Sequence, residues 1–189
     1  RCLVQVGDAK NLRRTLTLTA LLAELGVPMV LALNMHDEAA ARGVTVDIPA
    51  LADELGIPVL ATVATGGEGI GELTGSLGQA RPPDALLHYD ADSEADIARV
   101  GDAIGRLAPH PHLAARGLAI LYLGGDAEVA AWLEARAGEK FPEIKALRQA
   151  ASHRTANKVA ALLARERSEA ADTLATSVIQ RAARSSPLL

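Results

Sequence analysis

Apolar runs that alternate with helical patterns constrain the fold of the first half of this chain more than any other feature. Residues 3–6, 28–34 and 57–63 form three such runs, and leucines at helical spacing fill the stretches between them. Runs that are apolar on both faces are typical of parallel strands covered by helices on both sides. The sequence therefore predicts an α/β fold over residues 1–80, with a partial parallel sheet and flanking helices.

Glycine and proline mark where the predicted elements begin and end. Gly26 ends the first helix, which has Asn11 as its predicted N-cap, and Pro28 opens the second strand. Further short helices are predicted over 38–42, 49–55 and 69–77. Because parallel strands present their carboxyl ends at one edge of the sheet, a ligand is expected at that edge.

The pattern changes at Arg81-Pro82-Pro83-Asp84, and no strand signal returns after it. Residues 81–189 are therefore predicted to form a second, all-α domain of four or five helices. The predicted helices cover 93–107, 113–123, a segment that starts at Asp126, 142–166 and 169–184.

Composition excludes several classes of protein. Hydrophobic residues make up 49% of the chain and charged residues 22%, which is typical of a soluble globular protein. The net charge of −4 argues against nucleic acid as a partner, and no apolar run is long enough to span a membrane. The single cysteine, Cys2, excludes an internal disulfide framework and is consistent with a reducing cytoplasm.

The turn Asn34-Met35-His36-Asp37 directly follows the second apolar run. An Asn-x-x-Asp turn at the end of a buried strand is the pattern with which P-loop GTPases recognise guanine. The Asp37 carboxylate can accept two hydrogen bonds from the guanine ring N–H and amine. Adenine offers no such pair of donors, so the site can discriminate by about 10⁴-fold. The alternative is a polar turn that caps a short helix.

A loop of small residues, Ala64-Thr65-Gly66, follows the third strand. Small side chains would allow a backbone N–H to approach the guanine oxygen, although any tight turn from strand to helix needs them too. Other patterns are weaker. Gly67–Gly71 lacks the spacing of a phosphate loop, and Asp53-Glu54-Leu55-Gly56 lies inside a predicted helix. The His110-Pro111-His112 pair has no further ligand, so no metal site is predicted.

Several segments of the chain resemble the G domain of FeoB, the bacterial ferrous-iron transporter. The resemblance is carried by residues 8–16, 22–28 and 33–37, continues through 51–59 and 66–71, and extends to residues 119–126 of the helical spacer. It implies a guanine-nucleotide-binding module, with GTP or GDP and Mg²⁺ in the complete domain. It also implies a cytoplasmic position beside a membrane domain that carries Fe²⁺, with a homo-oligomer possible in the whole transporter. The helical spacer would favour the GDP-bound state and relay the nucleotide state to the membrane domain.

The resemblance also assigns five cofactor-binding residues. Asn34 and Asp37 would form the guanine-specificity pair, Met35 would pack its stem on the purine, and Ala64 and Thr65 would supply the second base contact. Ala64 stands where the family usually has a serine that braces the aspartate, so base binding is expected to be weaker by about 1 kcal/mol.

No G-x-x-x-x-G-K-[ST] motif occurs in the 189 residues. In the family this P-loop, the switch I threonine and the D-x-x-G loop would all precede Asp8. The chain is therefore expected to be a piece of a longer protein, with no catalytic residues and no GTPase activity of its own. Two alternatives remain: a degenerate, non-enzymatic regulatory or scaffold module, and a different α/β enzyme in which the Asn34–Asp37 turn is incidental.

Overall fold

The computed structural model describes residues 2–84, 89–154 and 159–181, with only the backbone of residues 180 and 181. The chain divides into two compact units. The sheet unit contains Arg1–Thr19, Pro28–Asp84 and Ala171–Leu189, and the helical unit contains Ala20–Val27 and Ala85–Ala170. The sheet and the helical bundle confirm the predicted fold class.

A three-stranded parallel sheet is the centre of the sheet unit. Its order is β1-β2-β4, with β1 at Leu3–Asp8, β2 at Met29–Asn34 and β4 at Val59–Ala61. The central strand is buried from Met29 to Leu33, as a strand covered on both faces must be. The register sets Asp8 opposite Asn34, so β1 and β2 end at the same edge.

Helices of the sheet unit begin and end close to the predicted positions. In α3, Asp47 caps the first turn by accepting the Ala50 N–H, and Gly56 ends the helix in the left-handed conformation with φ of 64°. A 3-10 turn, Ala9–Asn11, is capped by Asp8 and comes before the first α-helix, so the predicted N-cap Asn11 directly precedes the first residue of that helix. The helices are α1 (Leu12–Glu24), α2 (His36–Ala41), α3 (Ile48–Leu55) and α4 (Ile70–Ser76).

A second, two-stranded sheet corrects the expectation that no strand follows residue 81. Strand β3, Val44–Val46, pairs antiparallel with β5, Ile179–Arg181. Each strand has three residues, too few for an alternating pattern to be recognised, and Ile179 also continues the helical spacing before it. The predicted helix 169–184 therefore ends at Val178, and residues 182–184 lie outside the described residues.

Among the described residues after Asp84 there are five α-helices: α5 (Ala91–Leu107), α6 (Ala115–Leu123), α7 (Ala127–Ala137), α8 (Phe141–Arg154) and α9 (Val159–Val178). The separate helix that was expected to start at Glu169 is wrong, because α9 runs through that position without a glycine or proline to stop it. The predicted helix 142–166 falls on α8 and the first part of α9, and residues 155–158 lie outside the described residues.

The core of the helical unit is built from the apolar faces of these helices. Ile97, Ile104, Ile120, Leu133 and Ile144 are all buried in one cluster. Caps fix where the helices start: Asp90 accepts the N–H groups of Asp92 and Ser93 at α5, and Asp126 accepts that of Val129 at α7. Over the described ranges, no helix combines the length and apolar character needed to cross a bilayer.

Candidate functional site

The carboxyl edge of the parallel sheet brings together the two turns that the sequence singled out. Strand β2 ends at Asn34, and the Thr62 N–H just after β4 donates to the Leu33 carbonyl at 2.8 Å. The His36 N–H donates to the Thr62 carbonyl at 3.4 Å. These backbone hydrogen bonds hold residues 34–37 beside residues 62–65.

The side chain of Asn34 connects the two turns. Its Oδ1 accepts the backbone N–H of Ala64 at 3.0 Å and the hydroxyl of Thr62 at 3.4 Å. The Ala64 N–H is therefore engaged within the protein.

Met35 adopts a backbone conformation that is rare for any residue other than glycine. It has φ of 61° and ψ of 35°, and it is the one non-glycine residue with positive φ in the described ranges. The left-handed conformation costs about 1 kcal/mol for a residue with a Cβ. It turns the chain from β2 into α2, where the Met35 carbonyl accepts the Ala39 N–H at 3.0 Å. Met35 as a whole residue is 38% exposed beside this turn.

Asp37 lies in the first turn of α2 and is exposed. Within the described part of the chain its carboxylate has no hydrogen-bond or ion-pair partner, whereas the neighbouring Glu38 pairs with Lys10 at 2.6 Å. The partial positive charge at a helix N-terminus favours an anionic carboxylate there. Both oxygens of Asp37 remain available to hydrogen-bond donors of a ligand.

The loop after β4 is small and closed on itself. Val63 and Glu68 exchange two backbone hydrogen bonds of 3.1 and 3.2 Å, and Gly66 donates to the Val63 carbonyl at 3.0 Å. Ala64 and Thr65 are exposed at its tip. Over the described residues nothing accepts the N–H of Thr65. That N–H is therefore the donor that the loop offers to a ligand.

The sequence alone did not reveal the residues that support these turns. The Asp8 carboxylate accepts the Lys10 N–H at 2.9 Å and the Asn11 amide at 2.7 Å. Burial acts to raise the pKa of Asp8, but the hydrogen bonds from Asn11 and Lys10 outweigh it and hold the pKa below its usual value. No pattern in the sequence predicts the contact between Lys10 and Glu38, because the pairing of β1 with β2 brings these two residues together.

The family resemblance implies Mg²⁺ for the complete domain, and no cluster of His, Cys, Asp or Glu among the described residues fits that ion. In residues 2–84, 89–154 and 159–181, no group of three His, Cys, Asp or Glu side chains is placed to hold a metal ion.

Two family models match the chain. The model described as ferrous iron transport protein B matches residues 1–77, and the model of the FeoB cytosolic helical domain matches residues 89–180. Between them they leave unmatched only residues 78–88 and the stretch after 180.

Relatives agree with both matches. The Fe(2+) transport protein A/Fe(2+) transporter FeoB fusion protein of Porphyromonas gingivalis is 37% identical over 135 residues, which cover 67% of this chain and 16% of that protein. The Fe(2+) transporter FeoB of Escherichia coli strain K12 is 35% identical over 128 residues, which cover 66% and 16%. The matched region thus spans about one-sixth of the length of these relatives.

Solved structures show the same fold. The cytosolic domain of L. pneumophila FeoB has 27% identity and a TM-score of 0.79, covering 95% of this chain and 68% of that one. The NFeoB protein of S. thermophilus bound to mGMPPNP has 26% identity and a TM-score of 0.75, covering 94% and 67%. The same protein bound to GDP.AlF4- and K+ has a TM-score of 0.74. The chain belongs to the FeoB family, in which it matches the G domain and the helical domain of the cytosolic region.

Proposed function

We propose that the turns at residues 34–37 and 64–65 recognise guanine. The observation that carries the proposal is the Asn34 side chain, which holds the two turns together and leaves the Asp37 carboxylate and the Thr65 N–H without partners in the described chain. Two acceptor oxygens and one donor match the ring N–H, amine and carbonyl of a guanine edge.

Each residue has a distinct part in this proposal. Asp37 accepts the ring N–H and the amine of guanine, and the Thr65 N–H donates to its carbonyl. The exposed stem of Met35 packs on the purine face. Ala64 has no hydroxyl with which to brace Asp37, and its N–H is engaged by Asn34, so it serves as the small residue that allows the base to approach. Adenine would leave the desolvated Asp37 carboxylate unpaired.

We further propose that the chain acts as part of the cytosolic region of an Fe²⁺ transporter, at the cytoplasmic face of the bacterial inner membrane. Its solved neighbours in S. thermophilus bind GDP and a GTP analogue, and its relatives are named as Fe²⁺ transporters. The helical domain would relay the nucleotide state to the membrane domain of the same protein, with a homo-oligomer of the whole transporter as its setting. Since the 189 residues hold no P-loop motif, they recognise the base and do not hydrolyse GTP.

Replacing the Asp37 carboxylate by an amide tests base recognition. In Asp37→Asn an amide N–H₂ replaces one acceptor oxygen. This amide can donate a hydrogen bond to the second carbonyl of xanthine, whereas at the same position guanine has an amine, which is also a donor. We expect the variant to bind xanthosine more tightly than guanosine, with the wild-type chain showing the reverse order. The measurement is an NMR titration of the backbone amides of residues 34–37 and 64–66. An unchanged preference in Asp37→Asn would refute the proposed role of this carboxylate.

A further inference from the structure

A cavity of about 650 Å³ opens on the helical unit. Side chains of α6, α7 and α8 line it, and all of them belong to that unit. Cavities of this size are typical of sites for small molecules. None of its residues takes part in the guanine-recognition turns.

One face of α8 supplies most of the lining. Five polar side chains recur at helical spacing along it, whereas Ile144 and Ala151 on another face pack into the core. The polar set therefore lines the cavity, and three of its five members are also exposed to solvent. Its members are Lys145, Arg148, Gln149, Ser152 and His153.

Arg148 is held in place by an aromatic ring. Its guanidinium carbon lies 4.9 Å from the ring centroid of Tyr122, which is 1% exposed. Tyr122 in turn meets Phe141 edge-on, with ring centroids 6.3 Å apart. Burial raises the pKa of Tyr122, so its hydroxyl remains protonated at neutral pH. A guanidinium fixed in this way loses little freedom when it binds a ligand.

Positive charge exceeds negative charge in this cavity. Lys145 is exposed and has no carboxylate partner within the described ranges, and Glu134 is the one acid among the described residues of the lining. The ammonium of Lys145 and the guanidinium of Arg148 are thus two cations against one carboxylate. An anionic ligand would balance the excess.

We propose that this cavity binds the phosphate group of a small phosphorylated organic molecule. The cavity offers many hydrogen-bond donors, from Arg148, Lys145 and the amide of Gln149. A carboxylate has two oxygens to accept them, whereas a phosphate group has three. The volume exceeds that of inorganic phosphate and leaves room for an organic group beside Phe141 and Ala130. A free metabolite and the phosphate headgroup of a lipid carry the same chemistry.

Two binding experiments on the intact 189-residue chain separate these sources. Phenyl phosphate is titrated by calorimetry, with phenol as the ligand that lacks the phosphate. Sedimentation then compares phosphatidylcholine vesicles with and without phosphatidic acid. We expect saturable binding in at least one phosphate arm and none to phenol or to pure phosphatidylcholine. Binding only to phosphatidic acid would support the proposal and identify a lipid as the source.

A matched pair of variants tests the site itself. Lys145→Met removes a lining cation, whereas Lys140→Met removes a charge that is also exposed but lies outside the lining. The first should weaken binding by about tenfold and the second by less than about twofold, and Lys145→Arg should restore it. An unchanged urea midpoint shows that each variant folds. Absence of binding in both phosphate arms, equal binding of phenol, or equal losses in the two methionine variants would overturn the proposal.

Discussion

At the scale of single residues, Asn34 and Asp37 have different roles in the candidate site. Asn34 is half-buried and uses its side-chain oxygen inside the protein, on the Ala64 N–H and the Thr62 hydroxyl. Asp37 is exposed, and within the described chain its oxygens are unused. A residue that builds the site should matter for stability, and a residue that only meets the ligand should not.

Asn34→Ala should therefore destabilise the protein by about 1–2 kcal/mol, because it leaves the Ala64 N–H and the Thr62 hydroxyl without their acceptor. Asp37→Ala serves as the matched control, since it removes an exposed side chain with no partner in the described chain, and should change stability by less than about 0.5 kcal/mol. Urea unfolding of the two variants checks this difference. Equal stability of Asn34→Ala and the wild type would show that the side chain does not connect the two turns.

At the scale of elements, glycines allow the loop after β4 to close tightly. Gly67 and Gly69 have nearly the same φ, 75° and 74°. They differ in their surroundings. A Cβ at Gly69 would lie 2.2 Å from the Ala61 carbonyl oxygen, whereas a Cβ at Gly67 would meet nothing within 4 Å. The loop thus passes close to the end of β4 at one glycine only.

Gly67→Ala should cost about 1 kcal/mol, the penalty for a Cβ in the left-handed conformation. Gly69→Ala should cost the same amount plus about 1–3 kcal/mol, because the backbone must move to relieve the overlap with Ala61. Because the two glycines have nearly the same positive φ, the difference in unfolding free energy reports the close approach at Gly69. Equal losses would mean that β4 and the loop are further apart than the structure has them.

The N-cap residue of α5, Asp90, makes the stability of the helical unit depend on pH in the acidic range. The hydroxyl of Ser93 and the N–H groups of Ser93 and Asp92 bond to the Asp90 carboxylate and hold its pKa below the ordinary value of 3.8. For a carboxyl with a lowered pKa, the extra stability is present above pH 3.8 and is lost as the pH falls through the lower pKa of the folded protein.

Asp90→Asn keeps an oxygen acceptor for the cap but cannot titrate. We expect its stability at pH 7 to lie within about 0.5 kcal/mol of the wild type, and we expect it to lose less stability than the wild type between pH 5 and pH 3. Asp90→Ala lacks the cap altogether and should be less stable at pH 7 by about 1 kcal/mol. Urea unfolding at the three pH values compares the variants. An identical acid response in Asp90→Asn and the wild type would exclude Asp90 as a contributor.

At the scale of the whole molecule, local patterns predicted the elements better than the contacts between them. The buried strand β2 and the helix end at Gly56 were predictable, because one continuous apolar run and one glycine specify them. The proximity of residues 34 and 64 was predictable, because both follow strands of a parallel sheet and therefore lie at the same edge. The pairing of β3 with β5 was missed, since three-residue strands at distant positions leave no pattern. The ion pair between Lys10 and Glu38 was missed because tertiary packing creates it.

We propose that this chain recognises guanine through the turns at residues 34–37 and 64–65. The most direct test is a titration of the intact chain with guanosine and with adenosine, which need no phosphate-binding loop, followed by the amide NMR shifts of all residues. We expect guanosine to shift the amides of residues 34–37 and 62–66, and we expect adenosine at the same concentration to leave them unchanged. Equal shifts with both nucleosides, or no shifts at these turns with guanosine, would contradict the claim.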